Sequence, residues 1–342
     1  MSMSLCRKEG TTPAAARVQR WGYRLAACTG GLRTISLALA RTLVDCMGLS
    51  YEPPPPCSVS RTSCRARYSI TGARSRVSFS SNEKKNLFLA PDWQPDQRPP
   101  MPPVVAKGRK PGLMACAFCH LPTGDGRPEN AVLAGLPRDH IIEQMRAFRD
   151  GTRRSSVVTR YPTILMTVVA KAATDAEIVA AADYFSSHEH HAFAEFVKTD
   201  RVPRTQTRGW VYSPRFEGDS EPIGARIIEM PVDFERFEHR DPSIRYFAYA
   251  PVGSVTRRER LAGTWGGAGQ QACASCHGHD LRGIGQAPPL AGRSPTYIAR
   301  QLNDLKTGAR RGPVTDLMKP VVAPMHNVEI TALAAFIGSR RP

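Results

Sequence analysis

"MACAFCHLPTGDG", residues Met114–Gly126, holds two cysteines three positions apart with a histidine directly after the second. The chain repeats the cluster as "CASCH" at Cys273–His277. Four of its nine cysteines lie in these two clusters; the other five, Cys6, Cys28, Cys46, Cys57 and Cys64, all precede residue 65. Beyond that point no cysteine is left over for a disulfide framework.

A C-x-x-C-H run is the attachment signature of c-type haem. Two thiols three positions apart share one helical turn, so each reaches a vinyl group on the same porphyrin edge and forms a thioether. The histidine that follows lies under the ring and offers an imidazole nitrogen to the iron. Two other chemistries use paired cysteines. Zinc ribbons set their C-x-x-C knuckles about 15–20 residues apart, whereas Cys119 and Cys273 are 154 positions apart. A thioredoxin-like dithiol sits in a βαβ unit, and the flanking sequence reads as helices and Gly/Pro loops. The pattern favours haem over both.

A shift of 157 residues superposes the two copies. Cys116, Cys119 and His120 fall on Cys273, Cys276 and His277; Gly126 falls on Gly283; "LAG" at Leu133–Gly135 falls on "LAG" at Leu290–Gly292. "IIEQMRAFRDGTR" (Ile141–Arg153) lies over "IARQLNDLKTGAR" (Ile298–Arg310). Each reads as an amphipathic helix stopped by a glycine. Past that glycine the offset becomes 152, which pairs Met166 with Met318, Glu177 with Glu329, Ile178 with Ile330 and Tyr184 with Phe336. A second helix is expected to close each copy. The first opens on a Thr174/Glu177 capping box; the second has His326 at the capping position and is less well specified.

This order of C-x-x-C-H, glycine-rich loop, "LAG", helix, methionine and closing helix resembles a class I cytochrome c domain. Two in tandem resemble the dihaem cytochromes c of the cytochrome c4/c553 type, over about residues 105–190 and 255–342. The resemblance implies a mainly α fold class: two tandem helical domains, 104–191 and 255–342, each around a covalently bound haem c with His and Met on the iron. A partly extended or β strap at 192–254 is expected to join them, after a disordered basic N-terminal segment at 1–100. The implied task is electron transfer, without catalysis, between redox partner proteins that include a dehydrogenase or a terminal oxidase.

Met166 and Met318 are the only methionines that coincide under the repeat, in segments expected to loop over the open haem face. A thioether sulfur favours Fe(II) and raises the potential. The cofactor-binding set is therefore Cys116, Cys119, His120 and Met166 in one copy and Cys273, Cys276, His277 and Met318 in the other. His120, Met166, His277 and Met318 are the candidate iron ligands. Met145 aligns with Leu302 and reads as core, Met325 is a nearby substitute for Met318, and Met114 precedes its attachment cysteine. The family's "PxLAG" loop supplies a carbonyl that orients the proximal histidine. It stands as "PPLAG" (Pro288–Gly292) in the second copy but "AVLAG" in the first, with Val132 in place of Pro289. Arg153 and Arg310 are candidates for haem propionates, and His140, opposite Tyr297, is expected to face solvent.

The formal charge of +17 is concentrated at one end: residues 1–85 hold 14 Lys+Arg against 4 Asp+Glu. Scattered charge without a reading module argues against nucleic acid. The apolar run "TISLALARTLVDCMGL" (Thr34–Leu49), interrupted by Arg41 and Asp45, is too broken for a clean signal peptide or a membrane span. A periplasmic location is still expected, because haem c is attached after export, and membrane association is expected only through a partner. Two readings rival a free electron carrier: a dihaem peroxidase-like enzyme with one open iron, against which the matched methionines weigh, and a cytochrome subunit of a dehydrogenase or oxidase complex, which differs in partner rather than chemistry.

Overall fold

The computed structural model describes residues 67–68, 77–216, 218–254 and 273–342. The five early cysteines and most of the segment expected to be disordered lie outside the described residues. Residues 77–100 depart from that expectation. Strand β1 (Arg67–Tyr68) pairs antiparallel with β2 (Phe79–Ser80), and helix α1 (Ser81–Lys85) follows, capped by Ser80. Trp93 is fully buried, its indole N–H donating to His239 O at 2.9 Å. The carbonyl that holds this indole belongs to a residue 146 positions away, so local composition could not reveal it.

The first domain comprises α2 (Pro103–Ala106), α3 (Cys116–His120), α4 (Arg138–Arg149), α5 (Tyr161–Ala172) and α6 (Asp175–Ser186). Helix α4 turns Ile141, Ile142 and Phe148 inward and stops before Gly151, whose φ of +71° suits a residue without a β-carbon. Helix α6 starts on the expected box: Thr174 Oγ1 accepts from Glu177 N at 3.2 Å, and Glu177 Oε2 accepts from Thr174 N at 2.8 Å. Val105, Leu113, Phe118, Ile178 and Phe185 fill the core between them.

Residues 192–254 contain seven strands and one helix. Strand β3 (Ala194–Lys198) is followed by β4 (Arg201–Pro203), β5 (Thr205–Arg208), β6 (Val211–Pro214), β7 (Ser220–Pro222) and β8 (Ile228–Pro231). Helix α7 (Phe234–Glu238) and β9 (Tyr246–Ala250) complete the segment. Its first and last strands pair in parallel, β8 joins β9 antiparallel, and β4–β7 and β5–β6 form two-stranded pairs. The fold is therefore mixed helix and strand rather than mainly α. The β-branched and aromatic residues of this segment bury themselves as a sheet, with the Phe193 and Tyr246 rings stacked at 4.8 Å.

The second domain comprises α8 (Cys273–His277), α9 (Pro295–Lys306), a 3₁₀ turn (Thr315–Met318), α10 (Lys319–Val322) and α11 (Asn327–Gly338). Its core holds Leu302, Val322, Met325, Ile330, Leu333 and Phe336. Buried Glu229 of β8 accepts from Thr296 N at 3.1 Å and Ser294 Oγ at 2.9 Å, placing a carboxylate at the N-terminus of α9. At His326 the closing helix has its reciprocal contact, His326 N donating to Glu329 Oε2 at 2.7 Å.

The two domains meet about a pseudo-two-fold axis. Arg154 N donates to Ala309 O at 2.7 Å and Arg311 N to Thr152 O at 3.1 Å. Between these bonds Arg153 reaches Gln144 Oε1 (2.9 Å) and Gln301 Oε1 (3.2 Å), and Arg310 reaches the same two oxygens at 2.8 and 2.9 Å. Each residue of this ring is the repeat partner of another.

Candidate haem sites

Both histidines of the C-x-x-C-H clusters are buried. His120 Nδ1 lies 2.7 Å from Ala131 O, and His277 Nδ1 lies 2.9 Å from Pro288 O. A carbonyl only accepts, so Nδ1 carries the proton and the lone pair of Nε2 is left for a metal. Burial lowers both imidazole pKa values and keeps the rings neutral, as ligation requires. Val132 in place of Pro289 leaves this bond intact, because the accepting carbonyl belongs to the residue before it.

Between each histidine and the left-handed Gly126 or Gly283, the loop needs two further left-handed residues. The first copy meets them with Leu121 (φ +63°) and Gly124 (φ +76°), the second with Gly278 (φ +84°) and Leu281 (φ +60°). The copies thus place glycine and leucine in opposite order on one backbone trace. Gly126 N then donates to His120 O at 3.0 Å, and Gly283 N to His277 O at 2.8 Å.

Cys116, Cys119, His120 and Met166 line one open cavity of about 1310 Å³, counting the space at its mouth. Burial pushes the Cys116 thiol up to about 12. Met166 sits inside α5, not in a loop as expected: Pro162, in the first turn, starts a helix where the sequence read as a loop. Met318 likewise ends a 3₁₀ turn, half-buried against the core that Cys273 also contacts. Met325 is 1% exposed in that core, and its carbonyl accepts from Lys306 Nζ. Cys116 and Cys119 pack on one core and Cys273 on another, so the four thiols do not converge on one zinc site.

His140 corrects its expectation of facing solvent. It lines the cavity, and burial together with Arg310 lowers its pKa to about 3. Arg153 lines the cavity too, tied to the junction glutamines and to Tyr297 OH at 3.1 Å. Sequence reasoning passed over Gln144 and Gln301, although their match under the repeat was the available signal. It also passed over Arg127, Glu129 and Arg240 around Cys119, which no periodicity marks.

The residues present fit haem c: two thiols on one turn, a histidine with its outer nitrogen free, and a cavity walled largely by apolar side chains. The turn with its two thiols and its histidine is built twice, the cavity at the first copy, and such a site defines a c-type cytochrome. The Cytochrome c family model matches residues 268–341. The thiosulfate dehydrogenase electron acceptor of Thiomonas intermedia (strain K12) is 27% identical over 233 residues, covering 67% of this chain and 80% of that protein. Cytochrome c4 of Stutzerimonas stutzeri is 30% identical over 136 residues, covering 35% of this chain and 63% of that protein. The solved thiosulfate dehydrogenase (TsdBA) of Marichromatium purpuratum aligns with a TM-score of 0.45 at 26% identity, over 67% of this chain and 37% of that one. The chain holds a Cytochrome c domain and is similar to the dihaem class I cytochromes c; it carries covalently bound haem c and has an electron-transfer role. Among the described residues no helix is long and apolar enough to cross a membrane.

Proposed function

We propose that the protein is a non-catalytic two-centre electron carrier of the periplasm, its irons held by His120 with Met166 and by His277 with Met318. The observation that carries this reading is the cavity onto which Cys116, Cys119, His120 and Met166 open together. Haem supplies a reversible one-electron centre when bound. The chain supplies thioether anchors, fixed imidazole tautomers and a low-dielectric wall. With one histidine and one methionine committed to each iron, neither site would leave room for a substrate, so electrons would enter and leave through partner proteins.

The Met166 helix supports docking of such a partner. Residues 151–173 carry four cations and no acid. Outward from the cavity α5 exposes Tyr161, Ile164 and Val168, next to Val158, which is 83% exposed. An apolar centre flanked by exposed Arg154 and Lys171 suits a redox protein with an acidic rim. Similarity to an electron acceptor named for thiosulfate dehydrogenase, along two thirds of this chain, favours a dehydrogenase as the donor.

The test is a count of covalent haems per chain followed by carbon monoxide addition to the reduced protein. Two haems and no carbon monoxide complex are expected. A complex at one iron would replace this reading with the peroxidase-like one, and a chain matured with haem c that carries none would end both.

A further inference from the structure

Charge around the two attachment sites is unequal. Behind Cys119, the strand-rich segment inserts Arg240 in a left-handed conformation (φ +55°), rare for a residue with a side chain. Its guanidinium lies 3.4 Å from the centre of the Phe118 ring and donates to Phe118 O at 2.7 Å, within the C-x-x-C-H turn itself. Arg240 Nε is buried without a hydrogen-bond partner. Beside it Arg127, 5% exposed, stacks on Phe237 at 3.8 Å and pairs with Glu129 at 3.2 Å. Glu129 Oε2 is likewise buried and unpartnered, and Glu129 lines the cavity. Among these three groups, two cations against one carboxylate leave one net positive charge. Burial beside Arg127 lowers the Arg240 pKa to about 9, so the charge persists at neutral pH. The Cys119 sulfur lies within electrostatic reach of all three groups.

Among the described residues the second site has no such cluster. The repeat partners of Arg127, Glu129 and Phe118 are Ile284, Gln286 and Ser275. Cys276 is exposed where Cys119 is half-buried. Arg160 and Arg300 also line the first cavity, donating to Glu129 O at 2.7 Å and to Pro128 O at 2.9 Å, and add positive charge there; the buried cations of the junction do not discriminate. Arg153 and Arg310 sit on the pseudo-two-fold axis, and Arg293 donates to carbonyls of both copies, Pro289 on one side and Val132 and Ala134 on the other.

We infer that Arg240, with Arg127, holds the Cys116/Cys119 site at the higher reduction potential of the two, so that electrons within one chain run from the Cys273/Cys276 site to it. Reduction removes one positive charge from a centre, so a fixed nearby cation stabilises the reduced form, and burial acts in the same direction. In the transfer one electron leaves the ferrous second site and converts the ferric first site to ferrous; no bond or proton moves. The inference rests on the two-haem carrier reading but not on which side chains are the sixth ligands.

The experiment is a spectroelectrochemical titration of the mature protein with both haems attached. The native chain gives two one-electron steps. Arg240→Gln keeps a donor for Phe118 O but removes the charge; the upper step then falls about tenfold in its equilibrium, 59 mV for one electron, while the lower step stays. Arg240→Lys restores most of it. Glu129→Gln, which removes the opposing carboxylate, raises the upper step and serves alone if Arg240→Gln does not mature. Movement of the lower step, equal shifts for Gln and Lys, or a fall with Glu129→Gln would overturn the inference. Haem counts and carbon monoxide addition on the same samples report separately on the carrier reading.

Discussion

Replacing Gly126 by alanine tests how the first histidine is held. Gly126 has φ +69°, and a β-carbon added there would lie 2.5 Å from Ala131 O. That oxygen is the acceptor for His120 Nδ1 at 2.7 Å. An L-residue in the left-handed region costs about 1–2 kcal/mol. Displacing the Ala131 carbonyl costs about 1–3 kcal/mol more, because the imidazole N–H loses its partner inside a buried site. Gly126→Ala should therefore destabilise by about 2–5 kcal/mol in urea unfolding and shift one reduction step while leaving the other. The matching change at Gly283 meets Ala287 O at 2.7 Å, whereas His277 is held by Pro288 O. Gly283→Ala should cost comparable stability with a smaller change in potential. A Gly126→Ala protein with native stability and both native potentials would refute the claim that this loop fixes the ligand.

Met166→Ala and Met318→Ala should each let one reduced iron bind carbon monoxide, whereas Met325→Ala should cost about 2–5 kcal/mol of stability without opening either iron. Arg293 is 2% exposed and donates to three backbone carbonyls at 2.6–3.1 Å; Arg293→Met should lower stability by about 3 kcal/mol in urea titration by stranding those acceptors. His190 Nε2 lies 3.2 Å from Ala291 O, and burial first, then Arg293, lowers its pKa to about 3. The unfolded chain protonates it near 6.5, so stability is flat above that pH and falls by up to about 1.4 kcal/mol per unit as pH drops from 6.5 toward 3. His190→Gln should flatten that slope in urea titrations across pH.

The repeat made the attachment clusters, the stop glycines Gly151 and Gly308 and the α6 capping box readable, because each rests on contacts within a few residues. Met166 was readable as a partner of Met318 but not as helical, since Pro162 marks a break or a first turn equally well in sequence. Residues 77–100 were misjudged, and the pairing of the strands expected at 192–254 was not legible, for a common reason. Trp93 is ordered by His239, and β3 by a strand some fifty residues later. Pairings of that range leave no periodic trace. Arg240 was illegible on the same ground: nothing local separates it from other arginines until Phe118 is seen beneath it.

Symmetry and its breaking do different jobs in this molecule. In the ring at the junction each glutamine oxygen accepts from two guanidinium groups. Losing either glutamine would leave buried N–H donors on both arginines without an acceptor, so the ring fixes the two copies in one relative placement. Two identical sites held that way would give an electron no preferred direction. The departures from the repeat lie off the axis and cluster on one side. The 192–254 segment covers the Cys119 turn with Arg240 and Phe237 and, among the described residues, meets the second copy at the N-terminus of α9 through Glu229, at Gly292 through Phe193 N and at Thr331 through Ala225 O, away from its cysteines. One insertion thus joins the domains and makes them unequal, and the inequality falls on the atoms that anchor only the first haem.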